Sequence, residues 1–382
     1  MPKADLEIRI PFSKLVIGLT IALVPLSLIG LYAVSHAQSS LRDMVGGNYA
    51  SLARSSAHQV SAYVHDRVVQ VAMLARMPAV VQAVVEANAA SAGMSETAFK
   101  EKVARTEQIW NSSQADPIVK ALLSSLAAHA FQDLLALDRR FLRITLTDQR
   151  GLAIAASHKT LDYYQADEDF WQAIHAGGRG SINLTGILYD DVTKQNYVGI
   201  GVPVVEAGTN RFIGALDVLM DVTNIFPQGN VQQPGSTMRL LLVKDDGTIV
   251  SAPDVTLAMG KKSEEFMATR DVLQSPQTKG SGFVLTELSG GKDTLVGYAD
   301  TGLRADYKNL GGYVLVAQDA RDAFAPIRFA VRLIWLIAVT GLAGLTLLTV
   351  YFSLHRTAPF QDIAAIRSPV AEGRAAAKGG QS

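Results

Sequence analysis

Two stretches of the chain are long enough to cross a bilayer and carry no charge. Leu15 to Val34 runs twenty residues and Leu333 to Leu354 twenty-two, without one Asp, Glu, Lys or Arg in either. About 20 apolar residues span a hydrocarbon core, and ordinary surface helices keep a polar face that these two lack. The pair predicts two transmembrane helices, with Pro25 tolerated inside the first. Lys3, Arg9 and Lys14 precede the first stretch; His355, Arg356, Arg367, Arg374 and Lys378 follow the second. The positive-inside rule then sets both termini in the cytoplasm and residues 35–332 outside the membrane. Arg328 and Arg332 lean the other way, but long domains translocate largely regardless of charge. A rival reading cleaves a signal peptide after Ala37, at Ser35-His36-Ala37. Signal cores usually run about 7–15 residues, so a retained anchor is expected.

The 382 residues balance 35 basic against 35 acidic side chains and include no cysteine. No basic surplus means no nucleic-acid footprint. No cysteine means no disulfide framework, no thiol nucleophile and no cysteine zinc site. Met259-Gly260-Lys261-Lys262-Ser263 lacks the glycine and the Lys-Ser/Thr order of a phosphate loop. No His-Glu-x-x-His or Gly-x-Ser-x-Gly motif occurs, and His58 and His65 stand two helical turns apart. No catalytic residue, no metal and no cofactor is expected.

Between the spans, apolar residues recur at steps of three and four from Leu41 to Leu74. They predict an amphipathic helix over about 36–76, weakened at Gly46-Gly47. Helical pattern resumes over 79–89, 96–110 and 117–137. Residues 141–157 then read as two strands around a turn at Asp148-Gln149-Arg150-Gly151. A short helix ends near Gly177-Gly178, and strands follow over 180–191, 195–208 and 211–222, the last two joined at Gly208-Thr209-Asn210. The order repeats: a hairpin over 238–253 turning at Asp245-Asp246-Gly247, a helix over 260–274, then strands at 280–288, 293–301 and 309–319. Hairpin, short helix and three strands, twice, is an internal duplication of pattern. It predicts an α+β fold of two five-stranded antiparallel sheets with helices on one side.

The segments TLTDQRGLAIAAS, DEDFWQAI, ILYDDVTKQNYVGIGVPV, FIGALDVLMDVTNI and LGGYVLVAQDARDAF, in this order between two spans, resemble the double Cache sensors. Those are extracytoplasmic heads of bacterial chemoreceptors, histidine kinases and cyclic-dinucleotide enzymes. The resemblance implies a long N-terminal helix plus two PAS-like antiparallel-sheet modules, flanked by two transmembrane helices in a bacterial inner membrane. It divides the chain into a cytoplasmic start (1–14), a first span (15–34), a helical region (35–137), a membrane-distal module (138–228), a membrane-proximal module (229–325), a second span (333–354) and a tail (355–382) that begins like a HAMP helix. It also implies a ligand in the distal module, held by Phe170 and Trp171 of the short helix with Tyr164 before it. Tyr189, Asp191, Asp217 and Asp221 would close the pocket from the strands.

The amino-acid-sensing branch carries an arginine two residues before the first helix aromatic, where this chain has Glu168 between Asp167 and Asp169. Carboxylates with aromatics suit an amine or a polyol better than a ligand gripped by its carboxylate. The same three acids also have a plain reading as caps of the helix that follows. Asp217 alternates with Ile213, Ala215 and Leu219, so it needs a partner; a salt bridge to Arg179 or Arg211 competes with a ligand. Tyr189 and Asp191 also read as a turn before Lys194. The expected function is a transmembrane sensor acting as a parallel homodimer along 36–76, with a separate cytoplasmic output partner or as part of a truncated receptor. The alternative is a membrane-anchored interaction protein with no small ligand.

Overall fold

One helix carries much further than the stretch 36–76 suggests. Helix α1 (Phe12–Leu74) continues unbroken from the first apolar segment into the head. Tyr49, Ala53, Ala57, Val60, Val64, Val68 and Val71, at steps of three and four, form its buried stripe. The glycine pair does not break it. Gly46 lies against the ring of Phe283, where a Cβ would collide, and Gly47 faces open space. The helix stops where Pro78 biases the preceding residue to extended backbone, and Met77 is extended at φ −62°, ψ 137°. The computed structural model describes residues 12–110, 112, 116–190, 194–223, 225, 237–252, 260–275 and 280–354. Expectations placed on residues 1–11, on Asp191 and on the tail 355–382 lie outside these.

Helices α2 (Pro78–Ser91), α3 (Glu96–Trp110), α4 (Asp116–Ser124) and α5 (Leu126–Leu137) follow. The single helix expected over 117–137 is two, because Ser125 is extended and its hydroxyl caps α5 by accepting from Ala128 N.

The distal sheet comprises β1 (Phe141–Asp148), β2 (Ala153–Ala156), β3 (Asn183–Leu184), β4 (Leu188–Asp190), β5 (Gln195–Val205) and β6 (Phe212–Asp221). Its order is β2-β1-β6-β5-β3, with β4 also pairing β5, and all pairs are antiparallel. The one strand expected over 180–191 is two short ones, which makes six strands where five were expected. Gly151 (φ 86°), Gly208 (φ 84°) and Asn210 (φ 55°) take the left-handed backbone the predicted turns demand. The proximal sheet comprises β7 (Arg239–Lys244), β8 (Ile249–Ser251), β9 (Ser281–Leu288), β10 (Lys292–Asp300) and β11 (Gly312–Asp319), in the order β8-β7-β11-β10-β9. Two antiparallel sheets behind one long helix fit the double Cache plan.

Each sheet is covered on both faces, not one. Ile144, Leu146, Val198, Leu216 and Val218 of the distal sheet share a core with α1, α2 and α5; Leu240, Leu242, Val314 and Val316 of the proximal sheet join the same core. The opposite faces carry α6 (Asp169–His175) and α7 (Glu264–Leu273), the two short helices of the duplicated pattern.

Asp43–Phe324, which ends with the short helix α8 (Ala320–Ala323), forms one compact unit, and the N-terminal part of α1 with α9 (Ala325–Leu354) forms a second. Among the described residues, Ala325–Leu348 is the one single helix long and apolar enough to cross a membrane. Within that second unit, Ser27, Gly30 and Val34 of α1 and Ile334, Ala338 and Leu342 of α9 line one apolar cleft.

Candidate ligand site

Antiparallel register decides which side chains meet beneath α6. Three cross-strand rows run from β1 through β6 to β5: Thr147–Ala215–Pro203, Thr145–Asp217–Gly201, and Arg143–Leu219–Gly199. Directly paired side chains share a face about 4.5–5.5 Å apart. The glycines open the row ends to α6. A Cβ on Gly201 would run into Ile174 and stand 2.9 Å from Phe170 Cζ; one on Gly199 would stand 3.4 Å from the same atom. The ring of Phe170 therefore rests over the residue paired with Asp217. Trp171 Nε1 donates to Thr147 Oγ1 at 2.9 Å, and its ring stacks on His175 and meets Phe212 edge-on.

The polar floor is unusual for a sheet face under a helix. Arg143 Nη2 lies 3.7 Å from Asp217 Oδ2, beyond hydrogen-bond range. Arg143 Nε, Thr145 Oγ1 and Asp217 Oδ1 are buried with no hydrogen-bond partner among the described residues. Burial pushes the Asp217 carboxyl up to about 6, with the Arg143 guanidinium pulling it back down. The ion-pair partner is thus Arg143, not Arg179 or Arg211; Arg211 pairs with Glu206 at 3.3 Å.

The remaining predicted residues are spread around this floor. Tyr164 sits at its edge, ring-on-edge with Phe99, and its N–H with that of Tyr163 donates to Glu107 of α3. Lys159 donates to the Trp110 carbonyl and Trp110 Nε1 to that of Thr160, so α3 fixes the loop that leads into α6. Asp221 shares the Asp217 face at the strand end, where it accepts from Thr223 N and Gln195 Nε2. Tyr189 pairs with Asn196, whose amide donates to Val250 O of the proximal module; this register sets Tyr189 on the face opposite Asp217. Lys194, left-handed at φ 58°, donates its N–H to Asp190 O, and Tyr189, expected in a turn before Lys194, lies instead within β4. Asp167, Glu168 and Asp169 are exposed, and the N-cap residue Glu168 makes no side-chain cap, so the capping hydrogen bonds expected of them are not made.

The duplicated module supplies an internal control. Counting back from the two hairpin turns, Arg239 matches Arg143 and Leu241 matches Thr145; Leu315, opposite Leu241, matches Asp217. Arg239 is satisfied from above: Glu265 of α7 accepts from it at 2.7 Å and from Ser263 Oγ at 2.7 Å. The rest of that floor is apolar, with Leu241, Val243, Val296, Leu315 and Phe266 packed together. Counting from the helix starts, α6 offers Phe170 where α7 offers Glu265. The distal arginine lacks a carboxylate above it and has an aspartate beside it.

No protein-family model and no curated protein matches the sequence. Among solved structures, the chain is similar to extracellular ligand-binding domains of chemoreceptors and histidine kinases. The ligand-binding domain of the Pseudomonas fluorescens chemoreceptor CtaA, in complex with L-leucine, aligns at 14% identity and a TM-score of 0.44, over 75% of this chain and 99% of that one. That of the Pseudomonas aeruginosa PAO1 amino acid chemoreceptor PctB, with L-Arg, aligns at 17% and 0.39, over 76% and 98%. The extracellular domain of a candidate histidine kinase, rpHK1S-Z16, aligns at 12% and 0.40, over 75% and 96%.

Proposed function

We propose that the chain is a transmembrane signal-transduction sensor, without catalytic activity, whose distal module takes a small extracytoplasmic ligand between α6 and the sheet. One observation carries this reading. Arg143 Nε, Thr145 Oγ1 and Asp217 Oδ1 are buried neighbours without partners, while the matching arginine of the proximal module is satisfied and its floor is apolar. A buried polar atom left unmatched costs about 1–3 kcal/mol, and a ligand with complementary groups recovers that cost.

The floor defines the ligand's chemistry. An ammonium or hydroxyl donor suits Asp217. An acceptor oxygen suits Arg143, standing where Glu265 stands in the proximal module. The rings of Phe170 and Trp171 supply an apolar wall that also tolerates a cation. An amine or polyol carrying an oxygen acceptor meets all three conditions. In this reading residues 15–34 and 333–354 are the two spans and both termini are cytoplasmic. A homodimer forms through the outward stripe of α1, where Val69 and Met73 are exposed four residues apart. The output passes to the cytoplasmic side, either to a separate partner or to the rest of a longer receptor.

A second reading, an interaction protein with no small ligand, draws on the close seating of Phe170 and Ile174 over Gly199 and Gly201. Thermal melting of the full chain in detergent separates the two. The panel is ethanolamine, choline, glycerol and L-leucine. At least one compound is expected to raise the melting temperature by about 2–4 °C at saturation, and Asp217→Asn and Arg143→Gln to abolish the rise. No rise with any of the four favours the second reading.

A further inference from the structure

The junction of the two modules holds a groove that the distal site does not use. Its volume is about 460 Å³, within the range of small-molecule sites. Ile187 of the distal module forms one side. Lys244 and the β10–β11 loop of the proximal module, with Arg304 and Lys308, form the other. The two modules are tied together along its edge: Lys244 Nζ donates to Ile187 O at 3.3 Å and Asn309 Nδ2 to Leu184 O at 3.3 Å.

The charge of this groove is unbalanced. Asp245 is taken by Arg304, and Asp246 by Lys262 at 2.8 Å. The Arg304–Asp245 pair lies directly on the backbone of Gly311, where any Cβ would displace both side chains. Lys244 and Lys308 have no carboxylate partner among the described residues, which leaves two positive charges uncompensated. Ile187, Leu310 and Gly311 also line a small apolar cavity of about 20 Å³ further in, walled by Val64, Val198 and Thr301. Thr301 Oγ1 is buried there without a partner. A cationic rim thus shares a wall with an apolar throat that has room for about one methyl group or one water and holds an unpartnered hydroxyl.

We propose that this inter-module groove is a second ligand site, independent of the one under α6, which takes a small monocarboxylate with its anionic head at Lys244 and Lys308 and its short apolar end toward the throat. A carboxylate there pairs with the Lys308 ammonium and with that of Lys244, whose Nζ has a carbonyl partner in Ile187 but no carboxylate. Because the same residues bridge the modules, its occupancy holds them together.

The test is thermal melting of the full chain in detergent with sodium propionate, against sodium chloride at equal ionic strength. Propionate is expected to raise the melting temperature of the wild type by about 2–4 °C. Lys308→Ala combined with Lys244→Met abolishes that rise, while Asp217→Asn and Arg143→Gln keep it. No rise in the wild type, an undiminished rise in the lysine double variant, or a rise lost in Asp217→Asn or Arg143→Gln each overturns the proposal. Should the lysine double variant fold poorly, Thr301→Val, which keeps the volume of the throat and removes its hydroxyl, is expected to alter the response; an unchanged response overturns it.

Discussion

Asp217 concentrates the chemistry of the head in one side chain. Burial pushes its carboxyl up from the ordinary 3.8 to about 6 in the folded protein. The sign of its effect on stability follows. Below the unfolded value it is protonated in both states and contributes nothing. Between about 4 and 6 the unfolded chain ionises first, so stability falls as pH rises. Above about 6 the full cost is present, about 3 kcal/mol for a shift of roughly two units. Asp217→Asn is therefore expected to gain stability relative to wild type between pH 4 and pH 7 and then level off. Urea titrations of both proteins across that range measure it, and a flat difference would contradict the buried-carboxylate account. The sequence makes Asp217 conspicuous, because it breaks an apolar run on a legible alternation. Its partner was as legible in principle: Arg143, Thr145 and Thr147 alternate on β1. What hid Arg143 is that pairing belongs to register, and register between β1 and β6 spans seventy-odd residues of chain.

At the scale of elements, the duplicated pattern of hairpin, short helix and three strands is written in local periodicity and turn residues, and its boundaries fall close to the predicted ones. What periodicity does not carry is which face each short helix covers, so the expectation of helices on one side only was incomplete. Nor does it show why a glycine pair sits inside α1. For Gly46 the answer is close approach, because the ring of Phe283 of β9 lies where its Cβ would stand, and the sheet presses against the helix nearby. Gly297 of β10 meets the backbone of Tyr49 so closely that a Cβ would stand 2.5 Å from its carbonyl carbon, while Gly47, two residues earlier on α1, faces nothing. Gly297→Ala is thus expected to destabilise the head by about 1–3 kcal/mol, since backbone cannot rotate away. Gly47→Ala is expected to stabilise it by about 0.5–1 kcal/mol through helix propensity alone. Opposite signs for two glycine-to-alanine changes, read by chemical denaturation, test whether α1 and the proximal sheet are in direct backbone contact.

At the scale of the whole molecule, the two uncharged segments and the head between them argue one arrangement, and the chain's lack of cysteine makes it open to a clean test. Any thiol introduced is the only one present. Thr209, in the exposed turn between β5 and β6, belongs to the head. Ser13 precedes the first apolar segment, and Ser368 follows the second. A membrane-impermeant maleimide applied to intact spheroplasts is expected to label Thr209→Cys at once. Ser13→Cys and Ser368→Cys are expected to react only after lysis. Labelling of Ser368→Cys from outside would leave the chain with one crossing, and would separate the head from any cytoplasmic partner on that side. Absence of Ser13→Cys from the mature protein, with the head still labelled, would show that the first segment is a cleaved leader. The sensor reading needs all three outcomes together, because a ligand bound outside can bias a cytoplasmic partner only through helices that pass between the two compartments.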